Sequence, residues 1–480
     1  TRIRARAYKS LAWSALTEAD FAVESIGSPV RITELMYDPP GGSAYEFIEV
    51  MNPSSGPVDA GGMYFDGITF VFPDGTTLGP GARLLLASGG SPTDFAKRYP
   101  GVPVFAYFAG SLNNGGERIS LRSPSGGLIE TVDYKNSGGW PSGAAGGGFS
   151  LEILDPEGDP DSPANWKASA ALGGSPGLPN SPAPVTSVRL SELMALNQSS
   201  LSNGGTFPDW VELVNDGGTA IDLTGWSLSN NGNPTLFSFP PATILEPGAR
   251  LIVWCDLASG LPGLHAGFTL KAGGDALFLY NAAGERVDAV GFGPQVADLS
   301  LARVDGAWQL SIPTPGLPNQ AAQTGSLTSI SINEWLANPP TGQPDWIELW
   351  NRDLAKPLDL GRVILSNSNT LHRLPPLSYL PAGGYLQLFA DESPGADHLD
   401  FKLSAVGGLI QVLDPTGVEL TRVTYGRQAE GITQGRLPDG GSVVTNFPGT
   451  PTPGTTNRVI QYAGPVLNEL LAHAPGLAGS

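Results

Sequence analysis

Three pairs of glutamates invite a chemical reading: Glu34 with Glu49, Glu192 with Glu212, and Glu334 with Glu348. Two carboxylates held together can divide general acid and base work between them, or hold a cation. The second member of each pair sits in an extended phrase such as "DWVELVND" at 209–216. On a strand, Trp210, Glu212 and Val214 share one face, and Val211, Leu213 and Asn215 the other. The competing reading is structural. Each carboxylate would accept hydrogen bonds from loop amides or a neighbouring hydroxyl and so fix strand register. No His or Cys accompanies any pair, and the pair occurs three times. A residue that specifies a fold must recur with it, whereas three copies of one active site would be unusual. The structural reading is preferred, and no catalytic residue is assigned.

Other candidates are sparser. Asp155, Asp159 and Asp161 alternate in "LDPEGDPDSPANW" at 154–166, the way a calcium loop often begins, so calcium is the cation such a loop would take. The prolines break the pattern, and an Asp/Pro turn closed by side-chain caps is preferred. The four histidines, His265, His372, His398 and His473, show no zinc-protease spacing. No nucleophile elbow or phosphate loop occurs. Trp140 and Trp166 are candidates for a sugar-stacking platform. Trp210, Trp226, Trp308 and Trp346 read as core, because they recur inside strand or closing phrases.

These residues belong to a repeated frame. "RITELMYDPP" (31–40), "RLSELMALNQ" (189–198) and "SINEWLANPP" (331–340) open three segments, and "VLNELLAHAP" (466–475) begins a fourth. Each of the three continues in the same order. A strand bearing the second glutamate comes first, then a turn and apolar strand such as "PGARLLLA", then a hairpin such as "NGGERISL…". Each ends in a Pro/Gly-rich exit: "GGSPGLPN" (173–180), "PTPGLPNQ" (313–320) and "PTPGTTNR" (451–458). The exits read as linkers, the places most open to proteolysis. One short helix is expected, at 93–101. The expected units are 30–180, 187–320 and 329–458, with the end of a preceding β module at 1–24 and a truncated start at 463–480.

Composition agrees with short strands and tight turns: 64 Gly and 44 Pro in 480 residues, with 40% apolar and 15% charged. A formal charge of −19 disfavours nucleic acid, despite the small basic cluster of Arg2, Arg4, Arg6 and Lys9. No apolar run is long enough to span a membrane. The single cysteine, Cys255, sits among apolar neighbours and has no intrachain partner.

The ordered phrases "ITELM", "LSELM", "INEWL", "DWVELVN", "DWIELWN", "IDLTGWSLSN", "PGARLLLA", "NGGERISL" and "TPGLPN" resemble the lamin tail domain, an immunoglobulin-like β-sandwich. Copies one and three depart from it at "VDAGGMYFDG" and "LDLGRVILSN". The resemblance implies an all-β chain of tandem antiparallel sandwiches, of the type found in bacterial extracellular proteins. Residues 1–24 resemble the end of a fibronectin-like or chitobiase-tail-like β module. The structural signature is then Glu34, Glu49, Glu192, Trp210, Glu212, Trp226, Glu334, Trp346 and Glu348. The expected function is a non-catalytic spacer or adhesion region of a large secreted or surface protein, binding a protein or surface polysaccharide. The alternative is an accessory region of a secreted enzyme, a hydrolase or a spore-coat kinase-like protein, whose catalytic domain lies elsewhere. As separate beads, the three units would give a radius of gyration near 35 Å, against about 23 Å for one compact body.

Overall fold

The opening phrase of each repeat forms a strand: Arg31–Met36, Val188–Met194 and Ile330–Leu336. It pairs antiparallel with the strand carrying the second glutamate, Phe47–Met51, Asp209–Asn215 or Asp345–Asn351. That strand pairs in turn with the apolar run after the Pro-Gly or Ala-Gly-Gly turn, Arg83–Ser88, Arg250–Cys255 or Tyr385–Ala390. On its other side the opening strand pairs with a closing strand, Leu151–Ile153, Ser300–Val304 or Thr433–Arg436. This computed structural model describes residues 2–6, 8–9, 12–14, 16–20, 28–182, 186–257, 260–367 and 369–459.

A second, smaller sheet faces the first in each copy. It is built on the hairpin Gly116–Arg122 and Leu128–Lys135, then Asp275–Tyr280 and Arg286–Phe292, then Gly407–Leu413 and Glu419–Gly426. Between the two sheets lie three apolar cores. Ile48 and Val50 enter the first, Val211 and Leu213 the second, and Ile347 and Leu349 the third. Each such fully buried side chain stabilises the fold by about 1.5–3 kcal/mol. The sole α-helix among the described residues is Pro92–Arg98, close to the expected position. Ser91 caps it by accepting from the Asp94 amide, and Pro92 opens it where no amide is needed. Its Phe95 covers Phe47 on the outer face of the first large sheet.

At the N-terminus, Arg2–Ala5 pairs antiparallel with Thr17–Asp20. The expected fourth start at 463–480 lies outside the described residues.

The modules are not separate beads. Ala164 of the first copy packs with Phe278 and Tyr280 of the second, and Arg286 donates to the carbonyls of Pro163 (2.9 Å) and Gly139 (3.4 Å). Tyr379 of the third copy lies in the second core, where its hydroxyl accepts from the Leu310 amide at 3.0 Å. Gln295 Nε2 donates to the Leu377 carbonyl at 2.7 Å. First and third copies meet through Arg362 with Asp155 (2.8 Å) and Arg118 with Asp400 (3.5 Å). Each module therefore touches the other two, and the extended expectation is corrected. The reason is apolar and polar complementarity in loops whose partners lie in a different copy, which a search for repeats does not detect. Arg286→Ala should remove about 1–3 kcal/mol of coupling between the first two modules. Calorimetry of the whole chain should then resolve a melting step that the parent protein merges with its neighbour. An unchanged envelope would deny that this contact couples them.

Candidate functional site

The strand register sets the glutamates of each pair directly opposite one another: Glu34 against Glu49, Glu192 against Glu212, and Glu334 against Glu348. In every copy a register shift precedes the first glutamate, after Ile32, Leu190 and Ile332. Such a bulge re-aims the side chain that follows it. Because side chains alternate across a strand, the pair lies on the face away from the sandwich core. All six side chains are nevertheless wholly buried.

What covers them is the Pro/Gly-rich exit of the same module. Glu34 Oε1 accepts from the Ser150 hydroxyl (2.5 Å) and the Ser175 amide (2.7 Å). Glu192 Oε1 accepts from the Ser300 hydroxyl (2.6 Å) and the Thr314 amide (3.0 Å). Glu334 accepts from the Thr433 hydroxyl, and its Oε2 from the Thr452 amide (3.0 Å) and hydroxyl (2.8 Å). The second glutamates each take one exit glycine amide: Glu49 from Gly177 (2.9 Å), Glu212 from Gly316 (2.6 Å) and Glu348 from Gly454 (2.6 Å). These glycines have φ of 78°, 77° and 80°, a left-handed turn that aims the amide inward. Three residues on, Asn180, Asn319 and Asn457 each donate to two carbonyls. One lies on the opening strand and the other on the closing strand (Thr33 and Ile153, Ser191 and Arg303, Asn333 and Arg436). The exits, read from composition as open linkers, are tied into the modules they end.

The copies differ in how they meet the charge. Arg83 Nε reaches Glu49 at 3.0 Å, and Arg250 Nη1 reaches Glu212 at 2.5 Å. In the third copy Tyr385 takes the place of the arginine, and its hydroxyl goes to Asp439 (2.6 Å). Glu348 keeps Asn333 and Gly454 as donors, and burial pushes its carboxyl up to about 7. In the first copy Glu152 stands opposite Glu34, where the others have Ala302 and Gly435. Burial, and then the charges of Glu49 and Glu152, push Glu34 up to about 8 against the pull of its Ser150 and Ser175 bonds. Burial also works on Glu152, but hydrogen bonds from Lys167, Ser181 and Ser175 hold it below the usual carboxylate range.

Trp210 and Trp346 lie on the glutamate face, each two residues before its Glu, and are buried there outside the apolar core clusters. Trp226 and Trp308 are half-buried against the second core, and Arg303 stacks 4.9 Å above the Trp308 ring. Trp140 and Trp166 do not form a platform. Both are buried in the first core with ring centroids 6.0 Å apart, and the Trp166 indole donates to the Pro160 carbonyl (2.8 Å). The loop aspartates are spent locally or on the third module. Asp155 caps Glu157 N and pairs with Arg362, Asp159 accepts from Asp161 N, and Asp161 accepts from Asp133 N. Among the described residues no group of three His, Cys, Asp or Glu is arranged to hold a metal ion. His265, His372 and His398 each face an aspartate (Asp256, Asp400 and Asp391), and His473 lies outside the described residues.

Sequence reasoning missed the donors. Ser175, Thr314 and Thr452, the three glycines and the three asparagines recur in one register, S/T-P-G-x-x-N. That recurrence was the available signal, since each position answers the same acceptor groups in every copy.

Two facing antiparallel sheets with this repeated strand order define an immunoglobulin-like β-sandwich. The family model of the Lamin Tail Domain matches two tandem stretches, residues 24–136 and 181–294. The third copy lies outside those matches, yet its large sheet keeps the same order, third strand, second strand, opening strand, closing strand. No curated protein matches the chain.

Proposed function

We propose that this chain is a non-catalytic structural and interaction region of a large secreted or surface protein, of the bacterial extracellular type, following another β module at 1–24. The observation that carries the reading is the consumption of the glutamate pairs. Six carboxylates that could do acid–base work are sealed from solvent and occupied by amides, hydroxyls and arginines of their own modules. A general acid or base must reach a substrate proton, and these reach only the exit. The expected ligand is another protein. The carbohydrate-binding alternative loses its two candidate tryptophans to the core. Among the described residues no helix is long and apolar enough to cross a membrane, and the acidic charge opposes nucleic acid.

Glu212→Gln, which takes the carboxylate away from Arg250, tests this reading. The whole chain should show no turnover on glycoside, ester, peptide or nucleoside-triphosphate substrates, and the variant should melt lower. Turnover by the parent that the variant loses, with melting unchanged, would overturn it. Surface labelling of native cells should find the chain outside; a purely internal signal would overturn the location.

A further inference from the structure

The Asp/Pro loop at 154–165 is special to the first copy and wedges between the other two. Its Pro163–Ala164 end meets the second module. Its acidic end faces the third across a cavity of about 70 Å³, large enough to admit water. We propose that this acidic end is a proton-operated clasp on the third module, which closes on taking up protons and opens on losing them.

The charges in the seam carry the proposal. Flanking groups balance. Arg31 lies 3.7 Å from Glu130 and 3.9 Å from Glu157, Arg362 pairs with Asp155, and Arg373 also faces Glu130 and Glu157. That is three cations against three carboxylates at the high end of the pH range; burial pushes Glu130 up to about 7, so it too gains a proton as the pH falls. At the centre the count does not balance. Asp159 and Asp161 of the first module line the same cavity as Asp400 of the third, against one permanent cation, Arg118, at 3.5 Å from Asp400. Arg122 acts on Asp400 from further off but is bound to Asp66, and Asp133 contributes its amide to Asp161 and its carboxylate to Lys135.

The remaining group is His372. Its Nδ1 lies 2.9 Å from Asp400, and its buried Nε2 has no hydrogen-bond partner among the described residues. Burial, and then repulsion from Asp159 and Asp400, push Asp161 well above the usual carboxylate range. Burial and Asp400 raise Asp159 as well. Burial alone would raise Asp400 too, but the His372 bond and charge and Arg118 hold it low. When the seam opens, Asp159 and Asp161 return to water and to ordinary values near 4. The closed form thus holds more protons than the open one, and lowering the pH favours closure.

The test uses the whole chain at fixed ionic strength from pH 5 to pH 9. Small-angle scattering should show a reversible increase in radius as pH rises. Amide exchange at Leu371–Arg373, corrected for its intrinsic pH dependence, should quicken by about tenfold. Asp159→Asn with Asp161→Asn keeps the side-chain size and carbonyl acceptors but cannot ionise. That variant should stay compact and protected at pH 9. A parent whose radius and exchange ignore pH would overturn the clasp, as would a variant that opens as readily as the parent.

Discussion

Arg250→Met should cost the second module about 3–5 kcal/mol, near the lower end because the arginine keeps some exposure (18%). Methionine retains much of the stem but leaves Glu212 buried with Gly316 N as its remaining strong donor. An uncompensated buried charge is among the largest single penalties a core can receive. Glu212→Gln, which leaves the arginine partly exposed and the amide bond in place, should cost only about 1–3 kcal/mol. The double variant should lie well below the sum, because neither charge is then stranded. Scanning calorimetry of the three variants reads this directly. Additive losses, or an Arg250→Met protein melting with the parent, would refute the ion pair as the second module's anchor.

Raising the pH from 5 to 9 should weaken the first module by a few kcal/mol through Glu34. Its folded carboxyl is pushed up to about 8 from an ordinary 4.5. Between those values the folded chain holds a proton that the unfolded chain has released. Stability therefore falls as pH climbs, at about 1.4 kcal/mol for each unit of the gap. Glutamine mimics the protonated acid, so Glu34→Gln should melt above the parent at pH 9 and with it at pH 5. The same replacement at Glu212 destabilises, since that carboxylate faces Arg250. Opposite signs at these two sites, a first glutamate in one module and a second glutamate in another, distinguish a carboxyl pushed toward its proton by burial from one placed against an arginine. If Glu34→Gln melts lower at pH 9, the paired carboxylates are not under the strain described.

Several elements were legible because they rest on local rules. Val211 and Leu213 alternate with Trp210 and Glu212, and the structure separates them onto two faces. Ser91 and Pro92 mark a helix start that needs only neighbouring residues. The exits were misread because their stability is not hydrophobic. "GGSPGLPN" offers little to bury, and what holds it is a backbone amide reaching a carboxylate 141 residues away. Trp140 and Trp166 misled for a related reason. They lie in segments outside any alternating strand pattern, so nothing nearby told which way the rings turn. The seams between modules were invisible since Ala164, Tyr379 and Asp400 find partners in a different copy.

The long reach from glutamate to exit also orders the birth of the chain. A ribosome making about 5–20 residues per second exposes Glu34 on the order of 10 s before Ser175 is made. Until then the first pair has no exit amide, and the module cannot seal. Yet Ser175 precedes Glu192, and Thr314 precedes Glu334. Each set of donors thus emerges before the next copy's acceptors can compete for it. In a protein of neighbours with the same fold, where exchange of parts between copies is a characteristic route to misassembly, placing the closing segment last in each unit lets every copy finish itself before the next arrives.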